Sequence, residues 1–172
     1  MSQDELVDIL NEQGAVIQTV PKKIAHEQGL LHKVVIAEII DSRGRWLMIK
    51  QSSSKQDAGQ YVSAVGGHVA AGESELDALK REALEEMGIA GEYAIKFAGK
   101  AKLNRFVLNR QENHLFLVYK IYSDAAPKLN EEVASFTYFT EDELKRQLQS
   151  HPEQFGEAFH FVVKHIFPQF LM

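Results

Sequence analysis

Glu82, Glu85 and Glu86 lie within five residues of one another, directly after Arg81. At ~100° per residue, with Glu82 as zero, Glu86 falls at ~40° and Glu85 at ~−60°, so the three carboxylates share an arc about 100° wide. Leu76, Leu79, Ala83 and Met87 fall at ~60° to 140°, a neighbouring apolar arc suited to a core. Like charges this close repel, each isolated i,i+4 pair costing a few tenths of a kcal/mol on an exposed helix. A hard divalent cation relieves the repulsion, because Mg²⁺ takes carboxylate oxygens and waters and bridges to substrate phosphates. Arg81 stands beside the cluster and can hold Glu82 or Glu73 in a charge-assisted pair. The segment follows a glycine-containing loop, and free amides near a helix start favour anions. The competing reading is a solvated charged helix face.

A simple set of elements would carry these residues. Glu75 to Met87 reads as a helix, capped by Ser74 with Asp77 three residues on and stopped by Gly88. Lys33 to Ile40 is short, apolar and β-branched, a largely buried strand. Asp41-Ser42-Arg43-Gly44 is a turn, with Arg45 to Lys50 as the hairpin partner. Ser52 to Gly59 reads as a loop, and Tyr61 to Val65 as a short strand ending at Gly66-Gly67. Lys96 to Leu108 is strand or loop; His114 to Tyr122 is a second core strand, and Phe136 to Phe139 a brief one. Thr140 to Glu143 is a capping box opening a helix to about Gln149. Pro152 is expected to open a last helix, with Phe155, Phe159, Val162, Val163 and Ile166 as its apolar stripe. The irregular interleaving predicts a mixed sheet covered by helices on both faces.

Composition limits the partners. The 172 residues carry Lys+Arg 19 against Asp+Glu 24, a net charge of −5, and 45% are hydrophobic. One domain of ordinary globular type is expected over residues 1–172, with an N-terminal extension over 1–32 and C-terminal helices over 140–172. Net acidity argues against a dedicated nucleic-acid partner. No basic-then-apolar leader and no apolar run near ~18 residues is visible, so a cytoplasmic protein with no membrane partner is expected. Zero cysteines exclude disulfides, cysteine-held zinc or iron–sulfur clusters, and a thiol nucleophile.

Residues 67–89 match the Nudix box, Gly-x5-Glu-x7-Arg-Glu-U-x-Glu-Glu-x-Gly-U with U apolar, at every fixed position. With seven fixed residues at roughly 6% usage each, chance agreement is on the order of one in a billion per starting position. The chain therefore resembles the Nudix hydrolases. The resemblance implies an α/β fold, an α/β/α sandwich with a central mixed β-sheet. It also implies Mg²⁺- or Mn²⁺-dependent hydrolysis of a small-molecule diphosphate joined to another group. Carried over by position, Glu85 and Glu86 would be the principal metal ligands, and Glu82 a further ligand or the base. Arg81 would orient Glu82, Glu73 would pair with Arg81, and the Gly67 carbonyl would reach the metal. A catalytically silent, nucleotide-binding regulatory module is the alternative, although such modules tend to lose the carboxylates kept here.

Outside the box, Asp4 to Glu12, Ala25 to His32 and Ser63 to Val69 are similar to the Nudix branch containing isopentenyl diphosphate isomerase. That resemblance implies a further metal held by two upstream histidines, the histidine after the box glycine and a Glu-x-Glu pair. The candidates are His26, His32, His68, Glu112 and His114; Glu112 also stands where many Nudix enzymes place an additional catalytic carboxylate. Glu-x-Glu reads Glu112-Asn113-His114, and the His26 to His32 spacing is one residue short. Gly66 occupies the position of the isomerase's catalytic cysteine. Moving a proton onto and off an alkene needs a positioned acid and base, and glycine supplies neither, so a hydrolase is expected over an isomerase. Glu131 and Glu132 read as a solvated turn, Trp46 as core. Lys50, Lys55 and Arg105 are cations within reach of phosphates, and a homodimer remains open.

Overall fold

The computed structural model describes Ser2 and residues 4–172; residues 1 and 3 of the expected N-terminal extension lie outside the described residues. The extension is structured: β1 (Leu6–Leu10) and β2 (Val16–Pro21) form an antiparallel hairpin, followed by α1 (Lys22–Gln28), which ends at Gly29 in the left-handed conformation. β3 (His32–Ile40) is the hub of the sheet. It pairs antiparallel with β1, β4 (Trp46–Gln51) and β6 (Val65–His68), and parallel with β8 (Arg110–Tyr122). β5 (Tyr61–Val62) and β9 (Val133–Phe139) flank β4, and β7 (Ala94–Val107) runs antiparallel along β8.

Alternation along β3 builds two cores, because successive strand residues point to opposite faces. Val35, Ala37 and Ile39 pack with Leu47 and Ile49 against Ala78, Leu79, Ala83 and Met87 of α2 (Glu75–Met87). Val34, Ile36 and Ile40 pack with Trp46, Met48 and Phe116 against α3 (Glu141–Ser150) and α4 (Glu157–Ile166). A mixed sheet between helical layers is thus the architecture, as the resemblance implied. A strand buried on both faces reads as a continuous apolar run, which is how Lys33 to Ile40 looks in sequence.

Local chemistry explains the element ends. Ser74 Oγ accepts from the Asp77 amide at 3.1 Å, and Gly88 closes α2 at φ 65° with its N–H on the Ala83 and Leu84 carbonyls. Thr140 and Glu143 form the reciprocal capping box of α3. Several sequence expectations need correction. Pro152 opens a single 3₁₀ turn, Pro152–Gln154, and α4 begins only at Glu157, so Phe155 reaches the core from outside the helix. The expected β3–β4 hairpin is present, pairing at two positions beside its turn, while β4 finds most of its partners on β9. Leu76, placed on the apolar arc of α2, is 47% exposed. Of residues 96–108, expected as strand or loop, those through Val107 are strand, and Leu108 and Asn109, at φ 48° and 60°, form the turn to β8, as in the two-residue turns that suit hairpin twist.

Candidate active site

β6 runs beside β3 and delivers Gly66, Gly67 and His68 to the face where α2 packs. Gly67 is required by space. A Cβ there would lie 2.1 Å from the Glu82 carboxyl carbon, so any larger residue evicts that side chain. A Cβ at Gly66 would meet nothing within 4 Å.

Arg81 organises the acids. Its Nε and Nη2 donate to the two oxygens of Glu73 at 2.8 and 3.0 Å, a bidentate pair, and Nη1 donates to Glu82 Oε1 at 2.7 Å. Nη2 also reaches the His68 carbonyl at 3.0 Å, and Glu85 lies 3.5 Å from Nη1. The Glu73 carboxyl is held below its usual range, first by Arg81 and then, against a desolvation cost, by the Ala70 amide. Glu73 thus anchors the loop, and Arg81 fixes the nearly buried Glu82. The expected pairing of Arg81 with Glu73 and Glu82 is present.

Glu82, Glu85 and Glu86 line one cleft of about 720 Å³, which Gly67 and His68 also border. Glu86 accepts a 3.3 Å hydrogen bond from the Gly66 amide. Burial first, and the neighbouring Glu82 second, push its carboxyl up to about 8. The donor set, carboxylate oxygens on one wall of an open cleft, fits a hard divalent ion such as Mg²⁺ or Mn²⁺. Lys22, Lys55 and Glu132 also line the cleft. Lys55 pairs with Glu132 at 2.8 Å, and the buried Lys22 amine is depressed, mainly by desolvation. Sequence reasoning missed Lys22, and it read Glu132 as a solvated turn; only the returning loop before β9 brings Glu132 opposite the box.

The histidines converge beside this cleft. In the β3–β8 register His32 faces His114, and in the β3–β6 register His68 faces Val34, two residues along. The short α1 adds His26. One ring nitrogen from each of the four lies within 4.8 Å of all the others. His26 Nε2 is 3.3 Å from both His114 Nε2 and His68 Nε2. His32 Nδ1 donates to the Leu30 carbonyl at 2.7 Å, while its Nε2, fully buried, has no hydrogen-bond partner in the protein, and neither has His26 Nδ1. Burial first holds all four below the usual imidazole value, His26 to about 4 and His114 to about 2; neighbouring rings of the cluster add to this for His26, His68 and His114, whereas the Leu30 carbonyl opposes it for His32.

Glu112 is not part of this group. One of its oxygens accepts from Arg105 Nε at 2.9 Å and the other from Arg110 at 2.5 and 3.1 Å. Arg105, expected near phosphates, is spent on Glu112 and Glu157, and Lys50 lies 5.1 Å over the Tyr61 ring. With Glu112 engaged and histidine at 114, the carboxylate-containing ligand set of the isomerase branch does not fit this pocket.

A family pattern described as NUDIX domain matches residues 30–159. The isopentenyl-diphosphate Delta-isomerase of Serratia proteamaculans is 28% identical over 165 residues, 94% of this chain and 90% of that protein. An uncharacterised Nudix hydrolase of Streptomyces coelicolor is 37% identical over 101 residues, 56% of each chain. Among solved structures, DR0079 from Deinococcus radiodurans superposes with a TM-score of 0.72 at 21% identity, covering 93% of this chain and 98% of that one. The MutT protein of Methanosarcina mazei gives 0.63 at 22% identity, covering 81% and 92%.

Proposed function

The chain belongs to the Nudix family, and from that premise we propose that it is a Mg²⁺- or Mn²⁺-dependent hydrolase of a diphosphate linkage in a nucleoside-diphosphate or related small molecule. The observation that carries the reading is the convergence of Glu82, Glu85 and Glu86 on one cleft, with burial and the adjacent Glu82 pushing Glu86 up to about 8. A bound divalent ion supplies charge neutralisation at phosphate oxygens and acidifies a water. The protein's own part is positioning. Arg81 locks the Glu82 carboxylate in one orientation, which suits it to a ligand or to a base. Glu85, half-exposed on the rim, is free to adjust to the incoming phosphates. Lys22 and Lys55 line the same cleft and supply the cationic groups for phosphate oxygens, Lys55 on release from Glu132.

Among the described residues no helix is long and apolar enough to cross a membrane. A cytoplasmic enzyme acting on a soluble diphosphate, as a monomer or homodimer, accords with this reading. The test is a panel of nucleoside-diphosphate and prenyl-diphosphate compounds incubated with Mg²⁺ or Mn²⁺. Cleavage of at least one, lowered by orders of magnitude in Glu85→Gln and Glu86→Gln, is expected; no cleavage anywhere, or turnover indifferent to both substitutions, overturns it.

The isomerase-named relatives, similar over nearly the whole chain, favour a second reading, alkene isomerisation on isopentenyl diphosphate. Gly66 stands against it, since no side chain projects there and the chain has no cysteine. Deuterium incorporation into isopentenyl diphosphate in heavy water would reinstate it.

A further inference from the structure

We propose that the free edge of β7 is a docking strand for an extended, acidic peptide segment of a partner protein. Carboxylates of that segment meet Lys100 and Lys102, and one of its apolar side chains enters a groove beside Phe97.

Register places the groups. Among the described residues β7 pairs with β8 alone, so the amides and carbonyls along its other side have no strand partner. Ile95, Phe97, Lys100 and Lys102 stand opposite Ile121, Tyr119, Leu117 and Leu115 of β8, the face on which α2 packs. A bulge between Phe97 and Gly99 keeps Phe97 and Lys100 on that same face. Phe97 is 51% exposed there, and both lysines are exposed.

Lysines and a bulge are the ordinary guard of a sheet edge, but two observations go beyond a guard. A guard needs no apolar surface, yet Ile95, Phe97 and Tyr119 with Leu76 of α2 line an open groove of about 710 Å³. Exposed apolar surface rimmed by charge marks an interaction site. The second observation is unmatched charge. The 14 residues of β7 include Lys96, Lys100, Lys102 and Arg105 and no acid, in a chain of net charge −5. Arg105 is spent on Glu112 and Glu157, whereas the three lysines enter no ion pair among the described residues. Lys96 also lies directly opposite Lys120 of β8, a repulsive cross-strand pair.

These charges select the occupant. A second copy is rejected, because two-fold antiparallel pairing of β7 about Gly99 sets Lys96 against Lys102. A nucleic acid would meet Glu75 and Glu12 at the two ends of the face, and its affinity rests on about 6–10 phosphate contacts, more than these lysines supply. An acidic strand satisfies every feature. Its main chain pairs with the open edge, and residues two apart, about 6.6 Å along a strand, face Lys100 and Lys102. Affinity then comes from the main chain and specificity from alternate side chains.

The test titrates the full chain into a labelled peptide of about eight residues, the length of an ordinary strand. The peptide alternates glutamate with threonine, carries phenylalanine at one end, and is made in both chain directions. Saturable binding by fluorescence anisotropy, weakened by salt, is expected. Lys100→Glu and Lys102→Glu together should weaken it about tenfold or more, two attractions being lost and two repulsions gained. Phe97→Ser should weaken it several-fold, and Arg146→Glu on α3 should leave it unchanged; circular dichroism shows that each variant folds. Methylating one alternate set of peptide amides should abolish binding and methylating the other should spare it, which attraction of charge alone does not produce. Glu85→Gln should bind the peptide as the native chain does, so this proposal and the hydrolase reading can fail separately. No binding in either direction, indifference to the lysine substitutions, equal effects of the two methylation sets, tighter uptake of a single-stranded oligonucleotide, or a dimer of the chain that excludes the peptide would overturn it.

Discussion

Glu38 lies on β3 in register with Lys120 of β8, and it is completely buried. Ser63 Oγ donates to its Oε1 at 2.5 Å, and its Oε2 has no hydrogen-bond partner in the protein. Burial pushes the carboxyl from 4.5 up to about 7, with the Ser63 hydrogen bond partly opposing. The folded protein therefore holds a proton that the unfolded chain gives up near 4.5. Its stabilising share is fully present below pH 4.5 and is lost progressively as pH rises towards 7, where the native carboxyl finally ionises. The gap between 4.5 and about 7, at about 1.4 kcal/mol per pH unit, corresponds to about 3 kcal/mol. For a chain of this size that is roughly 6–12 °C in thermal midpoint. Glu38→Gln keeps an acceptor for Ser63 and cannot ionise. Thermal or urea denaturation of both proteins from pH 4.5 to 8.5 isolates the effect, because every other titrating group is shared. The two should be similar at pH 4.5, and the variant should be more stable by that amount at pH 8.5. Parallel curves, or a variant less stable at high pH, would refute the reasoning.

Gly67→Ala should cost about 1–3 kcal/mol by overpacking against the Glu82 carboxyl, whereas Gly66→Ala should stay within about 0.5 kcal/mol, both measured by urea unfolding. Arg81→Lys loses the fork that holds Glu73 and Glu82 together; kcat on any hydrolysed diphosphate should fall by roughly one to two orders of magnitude, with KM less affected. Phe159→Ala removes a ring that is 1% exposed and stacked 5.7 Å from Phe155, and should lower unfolding free energy by about 3–5 kcal/mol.

What could be read from sequence was local. The box helix, with Ser74 at one end and Gly88 at the other, is coded within one turn of each boundary, and the acids that share its face follow from helical period. The apolar runs of β3 and β8 announce burial on both sides. The N-terminal hairpin was not legible, because β2 is mostly exposed and carries no clean alternation. Nor was the true start of α4, since Pro152 begins helical turns of either kind. Glu112 looked catalytic from its position, and only the fold reveals that Arg105, one strand away on β7, takes it. The histidine cluster needed two strand registers and a short helix at once, none of which a spacing rule contains.

The parallel pairing of β3 with β8 has a temporal side. His32 and His114, 82 residues apart (114 − 32), must meet across it, and during synthesis at ~5–20 residues per second β3 waits roughly 4–16 s for its partner. Throughout that interval an apolar, β-branched segment, Val34 to Ile40, has an unpaired edge, the condition under which strands join neighbouring chains. Slow folding and dependence on chaperones in the nascent state are the expected cost of placing the hub strand so early in the chain.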